Sequence, residues 1–208
     1  MPILFHAPMA CSLAVRFAAA EGAVPLDVRL VRLQSKELED GGSLYEANPL
    51  GLVSTLRLDD GQLLTENTAI LTWVQSQSSD EDFRRDPHDA SYFQMLRWIA
   101  FVSTELHKQL LRVVFYNEAT DAVKDNFRAL APSRYEAIAA QLGDAPYLLG
   151  EHFSAADAYL AWYFALAERA RIAPVDHPSL MAYQERTWSR PKISNLLASD
   201  RAKRGLTA

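Results

Sequence analysis

Apolar residues follow two different spacings in the first part of the chain, and these spacings predict two strands flanking a helix. Residues 2–6 form a short apolar run, and residues 26–30 alternate apolar with charged side chains, as strands do. From Ser12 onward, apolar side chains recur every three or four positions until Gly22, a residue that commonly ends helices. This order predicts a compact β-α-β unit with a parallel strand pair.

A second group of elements follows an irregular polar section. Asp60-Gly61 lies between the short runs 55–58 and 62–64, which is a strong hairpin signal. Helical spacing begins directly afterwards, so we predict that Thr65 caps a helix and that Glu66 lies in its first turn. The predicted order is β-α-β, a loop or short helix, then β-β-α, which makes a mixed sheet with helices packed on it.

The polar segment 78–89 interrupts the apolar pattern and predicts a linker between a first domain, 1–77, and a second domain, 90–208. Beyond it the spacing is helical throughout, with prolines near the first turns of some predicted helices. The first helical stripe runs from Tyr92 to Leu110, and the second runs from Val123 to Leu142 with Pro132 as a kink or a restart. A third opens at Ser154 and runs to Leu166, and shorter helices open at Pro178 and Pro191.

Composition narrows the functional classes. A formal net charge of -5 over 208 residues argues against a general nucleic-acid binder. No apolar run reaches the ~18 residues of a membrane span. Residues 1–20 lack the basic start of a signal peptide, and polar residues and proline interrupt their apolar run. We therefore predict a cytoplasmic protein that binds neither nucleic acid nor membrane.

The single cysteine, Cys11, excludes an internal disulfide and a cysteine-based zinc site. It lies where the first strand meets the first helix. Free backbone N–H groups and the helix dipole at that point favour a thiolate, either its own or that of another molecule. The alternative is an inert cysteine buried in the core.

Five motifs occur in an order that resembles the bacterial cytosolic glutathione transferases, most closely the beta class. The likeness extends over nearly the whole chain. The motifs are Cys11-Ser12-Leu13, Asn48-Pro49-Leu50-Gly51-Leu52-Val53, Asp60-Gly61 with Leu64-Thr65-Glu66, Glu105-Leu106-His107-Lys108, and Gly150-Glu151-His152-Phe153-Ser154-Ala155-Ala156-Asp157-Ala158-Tyr159.

The resemblance implies an α/β thioredoxin-like N-terminal domain that carries a glutathione site, followed by an all-α C-terminal domain. It implies glutathione as co-substrate, no metal, and a homodimer with the site near the interface. The helical domain would supply much of the pocket for a small hydrophobic electrophile, with side chains such as Phe115 and Tyr116. A role in detoxification follows from the same resemblance.

Four residues match positions that hold glutathione in this family. The resemblance implies that Lys36 contacts the tripeptide and that the Val53 backbone pairs with its cysteinyl part. It implies that Glu66 and Asn67 hold the γ-glutamyl end. The chemistry agrees, because glutathione has two carboxylates and one amine, and its site therefore needs a cation, an anion and open backbone groups.

Three further residues match positions beside the thiol. Cys11 matches the beta-class cysteine, which can form a mixed disulfide with glutathione. His107 and Lys108 match positions where the second domain reaches into the site. The resemblance implies catalytic roles for Cys11 and His107 and a glutathione contact for Lys108. Without it, His107 reads as a surface or satisfied histidine.

The sequence departs from the family at several positions. Ser54 stands where the family has a cis-proline, so the Val53-Ser54 bond is either cis or part of a remodelled loop. Ala100 replaces an asparagine, and His6 replaces an aromatic residue. The Ser12 hydroxyl is a candidate second donor to a thiolate.

Three functions remain open from the sequence. The first is conjugation of the glutathione thiolate to small hydrophobic electrophiles. The second is glutathione-dependent thiol-disulfide reduction with Cys11 as a single nucleophile, which has no resolving cysteine in this chain. The third is a non-catalytic ligand-binding or regulatory protein of the same fold.

Ser154 and Asp157 are assigned a structural role, as a capping box at the start of a core helix.

Overall fold

The computed structural model describes residues 1–205, so the last three residues of the predicted second domain lie outside it. Its first part contains four strands and three helices. In chain order these are β1 (Ile3–His6), α1 (Ser12–Glu21), β2 (Asp27–Leu30), α2 (Leu44–Ala47), β3 (Thr55–Arg57), β4 (Leu63–Thr65) and α3 (Asn67–Gln77).

The four strands form one mixed sheet in the order β2-β1-β3-β4. β1 pairs in parallel with β2, and Ile3 lies opposite Asp27. β1 pairs antiparallel with β3, which pairs antiparallel with β4. Gly61 takes a φ of +85° in the turn between β3 and β4, a conformation that favours glycine. The thioredoxin-like fold and the hairpin are therefore confirmed.

The second part is entirely helical within the described residues. Its helices are α4 (Ala90–Phe101), a π-helical segment (Val102–Leu111), α5 (Arg112–Val114), α6 (Asp121–Arg128), α7 (Ala131–Leu142), α8 (Ala155–Ala167), α9 (Pro178–Trp188) and α10 (Pro191–Lys203). The single long helix predicted from Tyr92 to Leu110 is thus interrupted by π-helical geometry, which is common at functional sites. No helix within residues 1–205 has the length and apolar character to cross a membrane.

The segment between α3 and α4 has no regular structure but is tied to the first part of the chain. Ser78 donates its hydroxyl to the Gly22 carbonyl at 2.7 Å, and Phe83 is buried. The division into 1–77, 78–89 and 90–208 remains a proposal, supported by the end of α3 and the start of α4 on either side of this segment.

One hydrophobic core runs through both parts, because α1 packs on the sheet and also against α8 and α10. The start of α8 is fixed as the sequence predicts. Ser154 accepts the Asp157 N–H at 3.5 Å, and Asp157 accepts the Ser154 N–H at 2.9 Å. Asp157 also accepts the Tyr183 hydroxyl at 2.8 Å, which anchors α9 to α8. These bonds fix the position of α8, which carries Tyr159 and Trp162.

Candidate functional site

Cys11 is the N-cap residue of α1 and contacts two other segments of the first part. Its thiol donates to the Val53 carbonyl at 3.2 Å. Its own carbonyl accepts a hydrogen bond from the Asn67 side-chain amide at 3.0 Å. The loop before α1, the loop before β3 and the start of α3 therefore converge on one cysteine.

Burial acts against the Cys11 thiolate that the start of the helix favours. Burial raises the pKa of the Cys11 thiol, because a thiolate there would lose its hydration. Hydrogen bonding from Ser54 and the positive charge of Lys108 act in the opposite direction and do not outweigh burial. Cys11 is thus a hydrogen-bonded thiol.

Ser54 links the cysteine loop to α3. The Val53-Ser54 peptide bond is cis, which is the first of the two alternatives left by the sequence. The Ser54 hydroxyl donates to the Asn67 side-chain oxygen at 2.5 Å and lies 3.9 Å from the Cys11 sulfur. Ser54 and Asn67 are both almost fully buried. Ser54, which stands where the family has a proline, therefore lines the pocket that opens beside Cys11.

A small pocket opens at this junction. Among its lining residues are six of the seven residues that the sequence analysis assigned to the site. The full lining is Cys11, Asn48, Leu50, Leu52, Val53, Ser54, Thr65, Glu66, Asn67, His107, Lys108 and Tyr159. We call it the small pocket. Both parts of the chain contribute to it, because His107, Lys108 and Tyr159 come from the helical part.

Glu66 and Lys108 form an ion pair across this pocket, with 3.9 Å between Oε2 and Nζ. Glu66 has a φ of +64°, an unusual value for a residue with a side chain. The prediction for the start of α3 is wrong by one residue. Thr65 is the last residue of β4 and not a cap, and Glu66 itself is the N-cap residue.

His107 lies in the π-helical segment and is tied to α8. Its Nδ1 atom is 2.7 Å from the Tyr159 hydroxyl, and its ring meets the Trp162 ring edge to face at 4.7 Å. Burial, reinforced by the charges of Lys108 and Arg112, lowers the pKa of His107 to about 4. His107 is therefore neutral at neutral pH and serves the site as a hydrogen-bonding group.

A second, larger cavity of about 540 Å³ adjoins the small pocket. The two share Cys11, Leu52, Val53 and His107. The other lining residues are Met9, Ala10, Leu33, Lys36, Leu111, Arg112, Phe115, Tyr116, Asn117, Trp162, Leu166, Arg169 and Arg204. We call it the large cavity. Phe115 and Tyr116, which the family resemblance implies for an electrophile pocket, lie in its wall.

Lys36 is the one assigned residue that does not line the small pocket. It lies in the wall of the large cavity, beyond Cys11 and Val53. We call the small pocket and the large cavity together the cleft. The Glu66 carboxylate lines its small-pocket end, and the Lys36 ammonium group lines its large-cavity end. The shared residues Cys11 and Val53 lie between these ends.

Ser12 does not face either opening. It is fully buried, and its hydroxyl lies 2.8 Å from Nδ1 of His6. The hydroxyl also accepts the Ala7 N–H at 3.3 Å. Ser12 is therefore not a second donor to a thiolate in this structure, and the expectation that it serves as one is wrong. Ala100 likewise lines neither the small pocket nor the large cavity.

His6 and Ser12 belong to a buried network beneath the cysteine loop. Asp200 of α10 accepts hydrogen bonds from His6 at 3.2 Å and from Arg16 at 2.6 Å. It also accepts the Met9 N–H at 2.8 Å. Burial lowers the pKa of His6. Burial alone would raise the pKa of Asp200, but its bonds to His6 and Met9 and the Arg16 charge lower it.

Sequence reasoning missed Tyr159, Trp162 and Asp200 as parts of the site. Tyr159 and Trp162 occur in an apolar helical stripe and read there as core residues. Tyr159 follows His107 by 52 positions and contacts it only because α8 packs against the π-helical segment. No local sequence signal indicates such a contact.

Comparison with known proteins gives a consistent result. Residues 104–200 match the family described as "Glutathione S-transferase, C-terminal domain". Glutathione S-transferase GstA of Escherichia coli O157:H7 is 30% identical over 202 residues, which are 96% of this chain and 99% of that protein. The similarity therefore extends through both structural parts.

Two solved structures illustrate the likeness in three dimensions. A bacterial beta-class glutathione S-transferase from Sphingomonas chungbukensis has a TM-score of 0.88 and 29% identity. A sphingomonad glutathione S-transferase, complexed with glutathione, has a TM-score of 0.89 and 28% identity. Each comparison covers 99% of this chain and 100% of the other.

Proposed function

Because this chain belongs to the glutathione S-transferase family, we propose that it joins the sulfur of glutathione to small hydrophobic electrophiles. The observation that carries the proposal is the shared wall of the two openings. Cys11, Val53 and His107 line both the small pocket and the large cavity. A thiol held at this wall would meet an electrophile held in the large cavity.

The charges along the cleft support glutathione as co-substrate. We propose that Glu66 and Asn67 hold the γ-glutamyl end, where the Glu66 carboxylate would pair with the α-amine. The Val53 backbone would pair with the cysteinyl part. Lys36, at the opposite end of the cleft, would contact the glycine carboxylate. The glutathione complex of the sphingomonad relative supports the same ligand.

The reaction needs one bond formed and one broken. The glutathione thiol loses its proton to solvent, and the thiolate sulfur attacks the electrophilic carbon. A carbon–sulfur bond forms, and the bond to the leaving group breaks, so that a halide, for example, departs with the electron pair. The protein's part is to hold the thiolate and to orient the two molecules.

We propose that Lys108 and the cleft's hydrogen-bonding groups stabilise the thiolate. The Lys108 ammonium group is positively charged and lines the small pocket. The neutral His107, held by Tyr159, would contribute a hydrogen bond and not a charge. Cys11 would act as a neighbouring wall of the thiol site.

The raised pKa of Cys11 supports conjugation over thiol-disulfide reduction. A reductase that works through one cysteine needs that cysteine as a thiolate, and burial disfavours the thiolate here. Conjugation does not require Cys11 to be a thiolate. An assay for turnover distinguishes conjugation from the non-catalytic alternative.

Two measurements test the proposal. Titration calorimetry at millimolar glutathione should show saturable binding, and 1-chloro-2,4-dinitrobenzene with glutathione should yield conjugate faster than the uncatalysed reaction. The Cys11→Ser variant should keep most of this activity. Absence of glutathione binding would end the proposal, whereas binding without turnover would favour the non-catalytic alternative.

Assembly and location belong to the same proposal. We infer a homodimer with the site near its interface, a cytoplasmic location and a role in detoxification, as the family resemblance implies. Leu50, which is 74% exposed, and Phe93, which is 60% exposed, are apolar side chains available for such an interface. Light scattering should report twice the 23.3 kDa chain mass, and a single-chain mass would contradict the dimer.

A further inference from the structure

We propose that the large cavity selects an anionic electrophile, namely an aromatic body that carries a carboxylate. The inference rests on the proposed function for its chemistry and names the substrate class of that same site. Four residues with cationic side chains line the cavity: Lys36, Arg112, Arg169 and Arg204. Within residues 1–205 no aspartate or glutamate lines it.

This charge distribution runs against that of the whole chain. The protein carries a formal net charge of -5, with 26 acidic and 21 basic residues. The charged residues of the cavity lining are therefore all positive, although the chain as a whole is negative. Such a cavity concentrates anions and disfavours cations.

Within residues 1–205, the cationic groups of the cavity also have no carboxylate partner. Lys36, Arg112, Arg169 and Arg204 take part in none of the ion pairs of the described residues. Arg204 donates one hydrogen bond, to the Pro8 carbonyl at 3.1 Å. The guanidinium groups keep donors free for a ligand carboxylate, to which arginine binds in bidentate fashion.

The charges are close enough to affect one another. Burial, together with the positive charge of Arg169, lowers the pKa of Arg204. The charge of Arg112 contributes to the low pKa of His107, which lies at the boundary with the small pocket. An anion bound in the cavity would relieve this repulsion, and electrostatic complementarity of this kind provides specificity.

The rest of the wall fits an aromatic body. Leu33, Phe115 and Tyr116 line the cavity and expose 38%, 42% and 48% of their surface, respectively. Trp162 and Leu166 also line the cavity and are buried. A flat apolar ring would cover these side chains, while its carboxylate meets the arginines.

Glutathione accounts for only one of the four charges. Its proposed position uses Lys36 for the glycine carboxylate, which leaves Arg112, Arg169 and Arg204. Arg112 comes from α5 and Arg169 follows the end of α8, so two separate helical elements direct cations to one cavity. The second molecule, and not glutathione, is therefore the expected partner of these three side chains.

A matched pair of electrophiles tests the inference. The full-length protein is assayed with 4-chloro-3,5-dinitrobenzoate and with its methyl ester, and each kcat/KM is divided by the uncatalysed rate constant with glutathione. We expect the acid to exceed the ester by about tenfold, the equivalent of one charge-assisted hydrogen bond. The preference should shrink as sodium chloride rises, because salt screens exposed charges.

Variants locate the effect. Arg112→Gln and Arg169→Gln should each lower the normalised kcat/KM for the acid by about fivefold to tenfold and change that for the ester by less than about twofold. The control is Arg84→Gln, which removes the same charge from an exposed residue outside the cavity lining. It should leave both substrates unaffected. Equal losses for acid and ester would overturn the inference.

A binding measurement keeps the two proposals separable. Unreactive 3,5-dinitrobenzoate and its methyl ester are titrated into the protein by calorimetry, and the acid should bind about tenfold more tightly. Turnover of both electrophiles with no preference for the acid would refute the anionic substrate and leave conjugation standing. Absence of all turnover would refute conjugation, and the binding result would still decide the charge preference.

Discussion

The carboxylate of Asp200 accepts the backbone N–H of Met9 at 2.8 Å, and this bond joins the last helix to the loop that carries the cysteine. Met9 has a φ of +64°, and its carbonyl accepts the Trp162 indole N–H at 3.1 Å. Two helices of the second part thus hold both polar backbone groups of one residue. Cys11, two positions further on, owes its position to them.

Asp200→Asn should lower the free energy of unfolding by about 3 kcal/mol. The change leaves the Arg16 guanidinium without its anionic partner in a largely buried network, and breaking such a pair from one side is costly. Urea denaturation at pH 7 measures the effect. Asp144→Asn, at an exposed residue, is the control and should change stability by less than about 0.5 kcal/mol. A similar loss in both variants would contradict the assigned network.

Cys11 should react slowly with iodoacetamide. Because burial raises the pKa of its thiol, the thiolate fraction at pH 7.5 should be smaller than that of free glutathione, and the rate should keep rising above pH 9. Mass spectrometry follows the alkylation. The urea-unfolded protein is the internal control and should react at the rate of an ordinary cysteine. Faster alkylation in the folded protein would show that the thiolate is stabilised after all.

His107 should make the protein less stable in acid. Its folded pKa of about 4 lies below the ordinary 6.5, so between these values the unfolded chain takes up a proton that the folded chain does not. Its contribution is complete above pH 6.5 and is lost as the pH falls, by about 3 kcal/mol at pH 4. Urea midpoints from pH 7 to pH 4 measure this loss.

The matched variant for this prediction is His107→Gln, which keeps a polar side chain without a titrating ring. It should lose less stability between pH 7 and pH 4 than the natural protein. The lowered pKa of His6 contributes in the same direction and remains in both proteins. Identical pH dependence in the two proteins would show that His107 titrates normally.

Glu66→Gln should raise the KM for glutathione by about tenfold and leave stability nearly unchanged. The variant loses the charge proposed to pair with the glutathione amine, a charge-assisted bond. The ion pair that is lost joins Glu66, which is 63% exposed, to Lys108, which is 52% exposed. Ion pairs between exposed side chains contribute at most about 1 kcal/mol to stability. Glu81→Gln, at an exposed residue between α3 and α4, is the control. An unchanged KM would exclude Glu66 from the glutathione site.

The sequence by itself determined the elements and their order. Alternation, helical spacing, the Asp60-Gly61 turn and the Ser154-Asp157 cap are local signals, because each acts within a few residues of its position. They predicted the four strands, the hairpin and the start of α8. They failed at Thr65 and in the π-helical segment, because helix ends and hydrogen-bond registers depend on what packs against them.

Tertiary structure alone decided the electrostatics of the site. The helix start at Cys11 predicts a favoured thiolate, but the packing around Cys11 reduces the hydration of its sulfur, which raises the pKa of the thiol. His107 meets Tyr159, and the arginines of three separate segments meet in one cavity, only after the helices of the second part pack against one another. Asp200 meets Met9 only after the two parts of the chain pack together. A pKa depends on burial and on neighbours distant in sequence, and only the folded chain specifies both.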